Sequence, residues 1–245
     1  MNKRLVGGIA LLALVVLVVA THVLTVQRPM ADGTRATGEP HSVSGKLSDR
    51  QQAQFEVTGG MESVTIHSSE LGETLYIAST LPGSKVVPKV ADNGDRIELR
   101  LSGTEVAGQA TVHVYLNAKV RWQLRLAGGG LSQVIDFGTG RLSGVEFLSG
   151  AGEVQLSLPA PEGTVPIRLA GSAGKVAIRT RTPNGVVQPA QVRLGASGSA
   201  GVITIDGQVR QGGRPGTAYT PAGWTGAADR YDIEADAAVA TLTVE

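Results

Sequence analysis

Apolar and polar residues alternate along most of the chain after residue 46. In residues 96–101 the aliphatic side chains point to one side and the charged side chains to the other. The same two-residue period recurs in residues 111–116 and 120–126. This alternation predicts β-strands with one buried face and one hydrated face. Asp92-Asn93-Gly94 lies between two such runs and is typical of a tight hairpin turn.

Helical spacing is missing from the same region. After residue 46, no ten-residue window without glycine or proline keeps an apolar pattern of helical period. We therefore expect no substantial helix there. Residues 210–226 are rich in Gly, Pro and Thr and predict a long loop before the last alternating runs, 231–233 and 239–244. A stack of strands needs its open end covered, and we expect the loop around Trp224 and the last strand to form that cap.

Two short phrases repeat in the second half of the chain. The first is a glycine followed by two aliphatic residues at alternate positions, and its copies begin at Gly152, Gly174 and Gly201. The second is Arg-Leu followed by small residues, and its copies begin at Arg125, Arg168 and Arg193. The phrases are interleaved, and the glycines are 22 and 27 residues apart. Repetition at such a period is typical of short supersecondary units stacked on one another.

These phrases, within residues 120–208, resemble the bacterial putative-adhesin families of short β-strand repeats, which include toastrack-like domains of cell-envelope proteins. The resemblance implies an all-β fold, either a single-stranded right-handed β-helix or a β-prism-like repeat domain. It also implies display outside the membrane, often on an anchor. It brings no catalytic residue with it.

The N-terminus has the pattern of a membrane segment. Residues 5–26 carry no fixed charge, and at about 1.5 Å per residue they would span roughly 33 Å, enough for a hydrocarbon core of roughly 30 Å. Lys3 and Arg4 precede this run and place the N-terminus in the cytoplasm. A signal peptide cleaved near Ala20 is the alternative. We favour the uncleaved transmembrane helix, because the run exceeds the ~7–15 residues of a signal core.

Four regions follow from these patterns. Residues 1–4 are a cytoplasmic tail, 5–26 a transmembrane anchor, 27–46 a linker rich in Gly, Thr, Ser and Pro, and 47–245 an extracytoplasmic β-repeat domain. The expected location is therefore the cell membrane, crossed once. A tail of four residues is too short to hold a domain, so any signal to the cytoplasm would need a membrane partner.

Composition excludes several classes of function. The chain has 22 Lys and Arg, 21 Asp and Glu, and a formal net charge of +1. Without Lys3 and Arg4 the balance is 20 to 21, so the basic excess of a nucleic-acid-binding protein is missing. The absence of cysteine excludes disulfides and thiolate metal sites. The four histidines lack zinc-ligand spacing, and no nucleophile-elbow motif is present. We expect no enzyme activity, no metal and no cofactor.

Four arginines that directly precede inward-facing leucines are the candidate binding residues: Arg100, Arg125, Arg168 and Arg193. If successive strands stack in register at about 4.8 Å, some of the guanidinium groups form a column. Such a column suits an anionic envelope polymer, because arginine binds phosphate and carboxylate bidentately. The competing interpretation is an ordinary polar surface in which neighbouring glutamates pair with the arginines.

The function expected from the sequence is that of a non-enzymatic, membrane-anchored envelope protein whose β-repeat domain binds an envelope polymer or a protein. The alternative is an accessory regulator of an envelope-stress response that acts through a membrane partner. A β-helical polysaccharide lyase is less favoured, because it would need converging carboxylates. The nearest group consists of Asp229, Asp232, Glu234 and Asp236, for which a hydrated rim on a terminal strand is the simpler interpretation.

Overall fold

The computed structural model describes residues 39–180, 182 and 184–245. The predicted tail, the transmembrane anchor and most of the linker lie outside these residues, so they stay predictions. Within the described residues, no helix has the length and apolarity needed to cross a membrane.

All regular structure in the described part of the chain is β-strand, as expected from the two-residue period. The strands are β1 (Ser42–Lys46), β2 (Gln52–Thr58), β3 (Ser63–Ser69), β4 (Thr74–Thr80), β5 (Val86–Asn93), β6 (Arg96–Gly103), β7 (Thr111–Asn117), β8 (Arg121–Leu126), β9 (Gly130–Asp136), β10 (Arg141–Phe147), β11 (Ala151–Ser157), β12 (Thr164–Leu169), β13 (Ala173–Arg179), β14 (Ala190–Leu194), β15 (Ser199–Ile205), β16 (Gln208–Gly213), β17 (Ala218–Tyr219), β18 (Arg230–Ala235) and β19 (Ala238–Val244). The first strand, β1, begins five residues before the boundary expected for the repeat domain. It carries one aliphatic residue and gives no alternating signal.

The strands form two sheets that share one hydrophobic core. Sheet A has ten strands in the order β1-β4-β7-β3-β9-β11-β13-β19-β15-β16, and sheet B has nine in the order β17-β14-β18-β12-β10-β8-β2-β6-β5. Inward-facing aliphatic residues of both sheets fill the core, together with a few aromatic residues. The rings of Phe55 and Trp122 meet edge to face at 6.2 Å, and Trp122 donates its indole N–H to the Asn117 carbonyl at 2.9 Å. Trp122, in the alternating run of residues 120–126, is fully buried.

One strand of sheet B and the next strand of the chain, in sheet A, together form one layer of the stack, which we call a rung. Parallel pairing in both sheets stacks the rungs β6/β7, β2/β3, β8/β9, β10/β11, β12/β13, β18/β19 and β14/β15 in that order. The all-β class is confirmed. The stack is not wound in chain order, as a simple β-helix would be, because the first two rungs and the last two rungs exchange places.

Antiparallel strands cover both ends of the stack. At one end β5 pairs with β6, β4 with β7 and β1 with β4; at the other end β16 pairs with β15 and β17 with β14. The Arg210 guanidinium lies 5.3 Å from the centre of the Tyr219 ring and joins β16 to β17. The prediction that the last strand caps the stack is wrong, because β19 lies inside sheet A between β13 and β15.

The repeated glycines mark places where successive rungs approach closely. A Cβ atom on Gly174 would lie 2.6 Å from the Gly152 carbonyl oxygen, and one on Gly152 would lie 2.7 Å from the Leu131 carbonyl oxygen. At the corner between the sheets, a Cβ on Gly171 would lie 2.1 Å from the Ser149 carbonyl oxygen. Both repeated phrases therefore reflect the packing of one rung on the next.

Candidate binding surface

Three of the four predicted arginines lie in one column on the outer face of sheet B. The register places Glu146 beside both Arg125 and Arg168, and places Glu234 beside both Arg168 and Arg193. The column therefore reads Arg125, Glu146, Arg168, Glu234, Arg193 across five strands. We call this alternating column the charge ladder.

Each arginine of the charge ladder contacts a carboxylate. The contacts are Arg125 Nη1 to Glu146 Oε2 at 3.3 Å, Arg168 Nε to Asp236 Oδ2 at 2.6 Å, and Arg193 Nη2 to Asp232 Oδ2 at 2.9 Å. These hydrogen bonds raise the pKa of the Arg168 and Arg193 guanidinium groups above the ordinary value. Exposed pairs of this kind add little to stability, because solvent screens them. An anionic ligand would have to compete with these carboxylates.

Arg100 does not belong to the charge ladder. It lies on β6 opposite Thr58, and its Nε donates to Glu98 Oε1 of the same strand at 2.7 Å. This hydrogen bond, followed by the charge of Glu98, raises the pKa of Arg100. The structure thus brings three of the predicted binding residues together and leaves the fourth apart.

The carboxylates considered for a lyase do not converge on one another. Asp232 and Glu234 both lie within ion-pair distance of Arg193, and Asp236 pairs with Arg168. Asp229 accepts the Gly163 backbone N–H at 2.7 Å. Asp232 and Glu234 lie on β18, which is an interior strand and not a terminal rim, and Asp229 and Asp236 flank it. In the parts of the chain that the structure describes, no three His, Asp or Glu side chains are grouped as a metal site requires.

The sequence predicted, as the competing interpretation, that neighbouring glutamates pair with the arginines, but it did not identify Glu146 and Glu234 as the glutamates of the charge ladder. The repeated phrase was defined by Arg-Leu alone. The sequence also contains a wider pattern, in which an aliphatic residue, a charged residue and an apolar residue come directly before each corner. The three clearest cases are Leu124-Arg125-Leu126, Val145-Glu146-Phe147 and Ile233-Glu234-Ala235. Aligning these triplets would have shown that arginine and glutamate occupy equivalent positions.

The outer face of sheet A has a different chemistry. One column crosses eight strands, from β4 to β15, without a Lys, Arg, Asp or Glu residue. It consists of Ser79, His113, Thr65, Val134, Gln155, Ala177, Thr243 and Thr204. We call it the neutral column. The neutral column contrasts with the charge ladder, but the outer face of sheet A is not uncharged as a whole, because Lys175 Nζ lies 3.0 Å from Glu153 Oε1 on the same face.

Two of the histidines lie beside one tyrosine on the outer face of sheet A. The rings of His67 and Tyr115 stack at 5.4 Å with an interplanar angle of 21°. Burial, and to a lesser degree the neighbouring His67, lowers the pKa of His113. The cross-strand ring pair is of the kind that stabilises a sheet. His41 lies just before β1, and His22 lies outside the described residues.

A shallow cavity of about 160 Å³ opens where the chain crosses from β13 to β14. Its lining is mainly aliphatic and includes Val187, Pro189, Ile205 and Val244, with one carboxylate from Asp206. A single carboxylate beside aliphatic side chains provides no acid–base or nucleophile pair. Trp224 lies in the loop before β18, and its indole N–H donates to the Tyr231 carbonyl at 2.7 Å, which holds the loop against β18.

Comparison with known proteins relates this fold to solved structures. No family model and no curated protein matches the chain. A structure from Clostridium sporogenes described as a putative cell adhesion protein aligns with a TM-score of 0.55 at 15% identity, over 85% of this chain and 100% of that one. This likeness shows that the all-β fold predicted from the repeats is shared with that structure.

Two further structures described as putative adhesins align with lower scores. The one from Bacteroides fragilis has a TM-score of 0.33 at 10% identity, over 87% of this chain and 100% of its own. The one from Parabacteroides distasonis has a TM-score of 0.23 at 12% identity, over 86% of this chain and 100% of its own.

Proposed function

We propose that this protein is a non-enzymatic, membrane-anchored envelope protein whose β-repeat domain binds a polymer or a protein outside the membrane. The observation that carries the proposal is the pair of broad sheet faces on a fold shared with a structure described as a putative cell adhesion protein. Stacked strands offer side chains at intervals of about 4.8 Å over a rigid surface. Such a surface suits an extended polymer or another protein better than a small substrate, which usually binds in a concave pocket.

The N-terminal pattern supports the location. Residues 5–26 are long enough to hold the protein in a bilayer, and the Gly, Thr, Ser and Pro content of residues 27–46 is typical of a linker. Lys3 and Arg4 favour an extracytoplasmic domain.

Within this proposal the charge ladder is the candidate contact for an anionic envelope polymer. Arg125, Arg168 and Arg193 would bind such a polymer by exchanging their carboxylate partners for its phosphate or carboxylate groups. Arg100 lies outside the ladder and would contribute little. Because the exchange is electrostatic and occurs at an exposed surface, binding should weaken steeply as the salt concentration rises.

Retention of envelope material by the full chain tests the proposal. The chain, embedded in lipid nanodiscs, is mixed with isolated cell-wall polymers and with a detergent extract of membrane proteins. We expect one of these to co-sediment with the nanodiscs without release of new reducing ends. Failure to retain either material contradicts the binding role, and release of polymer fragments contradicts the non-enzymatic role.

A charge-matched pair of variants locates the contact. The ladder variant replaces Arg125, Arg168 and Arg193 by glutamine; the control replaces Lys46, Lys175 and Arg179, which lie on strands of sheet A. Both variants lose three positive charges. If the polymer contacts the charge ladder, retention weakens in the ladder variant only. If retention weakens equally in both variants, the cause is the overall charge of the protein.

A further inference from the structure

The two sheets end in four edge strands, and three of them carry features that prevent further strand pairing. β17 has two residues. β5 contains Pro88, which lacks an N–H, followed by Lys89. β1 has a bulge between Gly45 and Lys46. Short strands, proline, lysine and bulges are the usual protections of an exposed sheet edge.

The fourth edge strand, β16, lacks these protections over most of its length. It pairs with β15 on one side only and contains neither proline nor lysine. Residues 208–212 are all exposed, and Val209 is 63% exposed. An exposed edge of this kind can accept another strand.

The hairpin geometry shows which backbone groups face outward. Asp206 and Gly207, with φ angles of 49° and 75°, form a two-residue turn that pairs Ile205 with Gln208. Hydrogen-bonded and non-hydrogen-bonded pairs then alternate along the two strands. Val209 and Gln211 therefore direct their N–H and C=O groups away from β15, toward the open edge.

The charge along this edge is positive. Arg210 contacts the Tyr219 ring, and Arg214 follows directly after the strand. Neither forms an ion pair with any residue that the structure describes. β16 itself contains no acidic residue. A partner with carboxylates would complement this edge, whereas a second copy of β16 would bring two more arginines to it.

We propose that β16 is a docking edge for an extended, acidic polypeptide segment of a partner protein, which adds to sheet A as an eleventh strand. Backbone hydrogen bonds to Val209 and Gln211 supply the affinity, and Arg210 and Arg214 select carboxylates. Val209 pairs with Thr204, the last residue of the neutral column, so the added strand would continue that column beyond β16. This inference deepens the proposed function by naming one class of protein partner.

Peptide binding to the full chain in nanodiscs tests this edge. Two fluorescent eight-residue probes alternate Val or Thr with either Glu or Lys. We expect the glutamate probe to bind and the lysine probe not to bind. Val209→Pro removes an outward N–H that does not pair with β15. Loss of one hydrogen bond of about 0.5–1.5 kcal/mol should weaken binding of the glutamate probe roughly 2- to 12-fold. Val209→Thr, the matched control, keeps the N–H and should change binding less than about twofold.

Amide hydrogen exchange shows where the probe binds. Bound glutamate probe should protect the amides of Val209 and Gln211 and leave those of β5 unchanged, and unfolding curves of both variants confirm that the hairpin is intact. Equal affinity for the two probes overturns the proposal, as does unchanged binding to Val209→Pro. A dimer that Val209→Pro dissociates would assign the edge to a second copy and overturn it too. If the protein retains envelope polymer but does not bind the glutamate probe, the docking role of β16 is wrong and the proposed function still holds.

Discussion

The corner glycine Gly171 provides the most direct test of the rung packing. In Gly171→Ala the new Cβ would lie 2.1 Å from the carbonyl oxygen of Ser149 and 2.2 Å from its carbonyl carbon. It would also lie 2.8 Å from the backbone nitrogen of Gly150. Cβ atoms essentially never approach other atoms closer than 3.0 Å, so the corner must move by almost an ångström. Backbone atoms of the preceding rung cannot rotate away as a side chain can.

The magnitude follows from what the movement would break. Ala170 and Gly171 both donate their N–H groups to the Phe147 carbonyl, at 2.9 and 3.0 Å. Losing or stretching these two bonds costs about 0.5–1.5 kcal/mol each, and overpacking adds about 1–3 kcal/mol. We expect Gly171→Ala to lower the free energy of unfolding by about 3–5 kcal/mol. For a domain of this size the melting temperature should fall by roughly 6–20 °C.

Gly60 provides the control. It lies in the corner after β2, one residue beyond Gly59, which is the position equivalent to Gly171. A Cβ on Gly60 meets nothing within 4 Å, and its φ lies outside the left-handed region. Gly60→Ala should leave stability unchanged or raise it by up to about 1 kcal/mol, through the lower entropy of the unfolded chain. Urea unfolding of the full chain in mild detergent, followed by fluorescence of the buried Trp122, measures both variants. Equal unfolding midpoints for the two alanine variants would refute the rung packing described above.

Three further predictions concern charge and pH. Glu234→Arg would place like charges beside Arg168 and Arg193; we expect a loss of about 1–2 kcal/mol at low salt, measured by urea unfolding. Burial raises the pKa of Tyr231. As the pH rises, the phenol therefore ionises in the unfolded chain before it does in the folded one, and the free energy of unfolding falls above about pH 10. We expect Tyr231→Phe to reduce that fall, measured by unfolding at alkaline pH. Burial lowers the pKa of His113. The stability that neutral His113 contributes is therefore present above about pH 6.5 and is lost as the pH falls. We expect His113→Gln to reduce the fall in melting temperature in acid.

Each of these predictions has an outcome that contradicts it. The effect of Glu234→Arg should shrink at high salt and exceed that of Glu234→Gln; a salt-independent loss would instead indicate a packing defect. Parallel alkaline curves for wild type and Tyr231→Phe would show that this phenol does not govern the decline. An acid profile of His113→Gln identical to that of wild type would mean that other groups control stability there.

The sequence by itself determined the local features of this protein. Side chains on a strand alternate with a period of two, so the all-β class, most of the strands and the hairpin of β5 with β6 could be predicted from neighbouring residues alone. The turn itself is Gly94-Asp95, because Asn93 already pairs with Arg96. The spacing of the repeated glycines likewise revealed stacked units. Each of these features depends on interactions within a few residues or on a regular repeat.

Tertiary structure decided which strands are neighbours. Leu75 and Ile77 look equivalent in the sequence, yet pairing with β7 places Tyr76 in the core and Ile77 beside Tyr115 on the outer face. Strand periodicity is a property of the backbone, whereas a neighbour is chosen by contacts between residues that are far apart in the chain.

The order of the rungs is the clearest example, and it decided the candidate site. Stacked in chain order, β14 would follow β12 and set Arg193 opposite Arg168. In the structure β18 lies between them and places Glu234 between the two arginines. The sequence could therefore supply the arginines as candidates, but only the long-range pairing turned an expected row of positive charge into an alternating ladder. Opposite charges on adjacent strands attract, and like charges in the same positions repel.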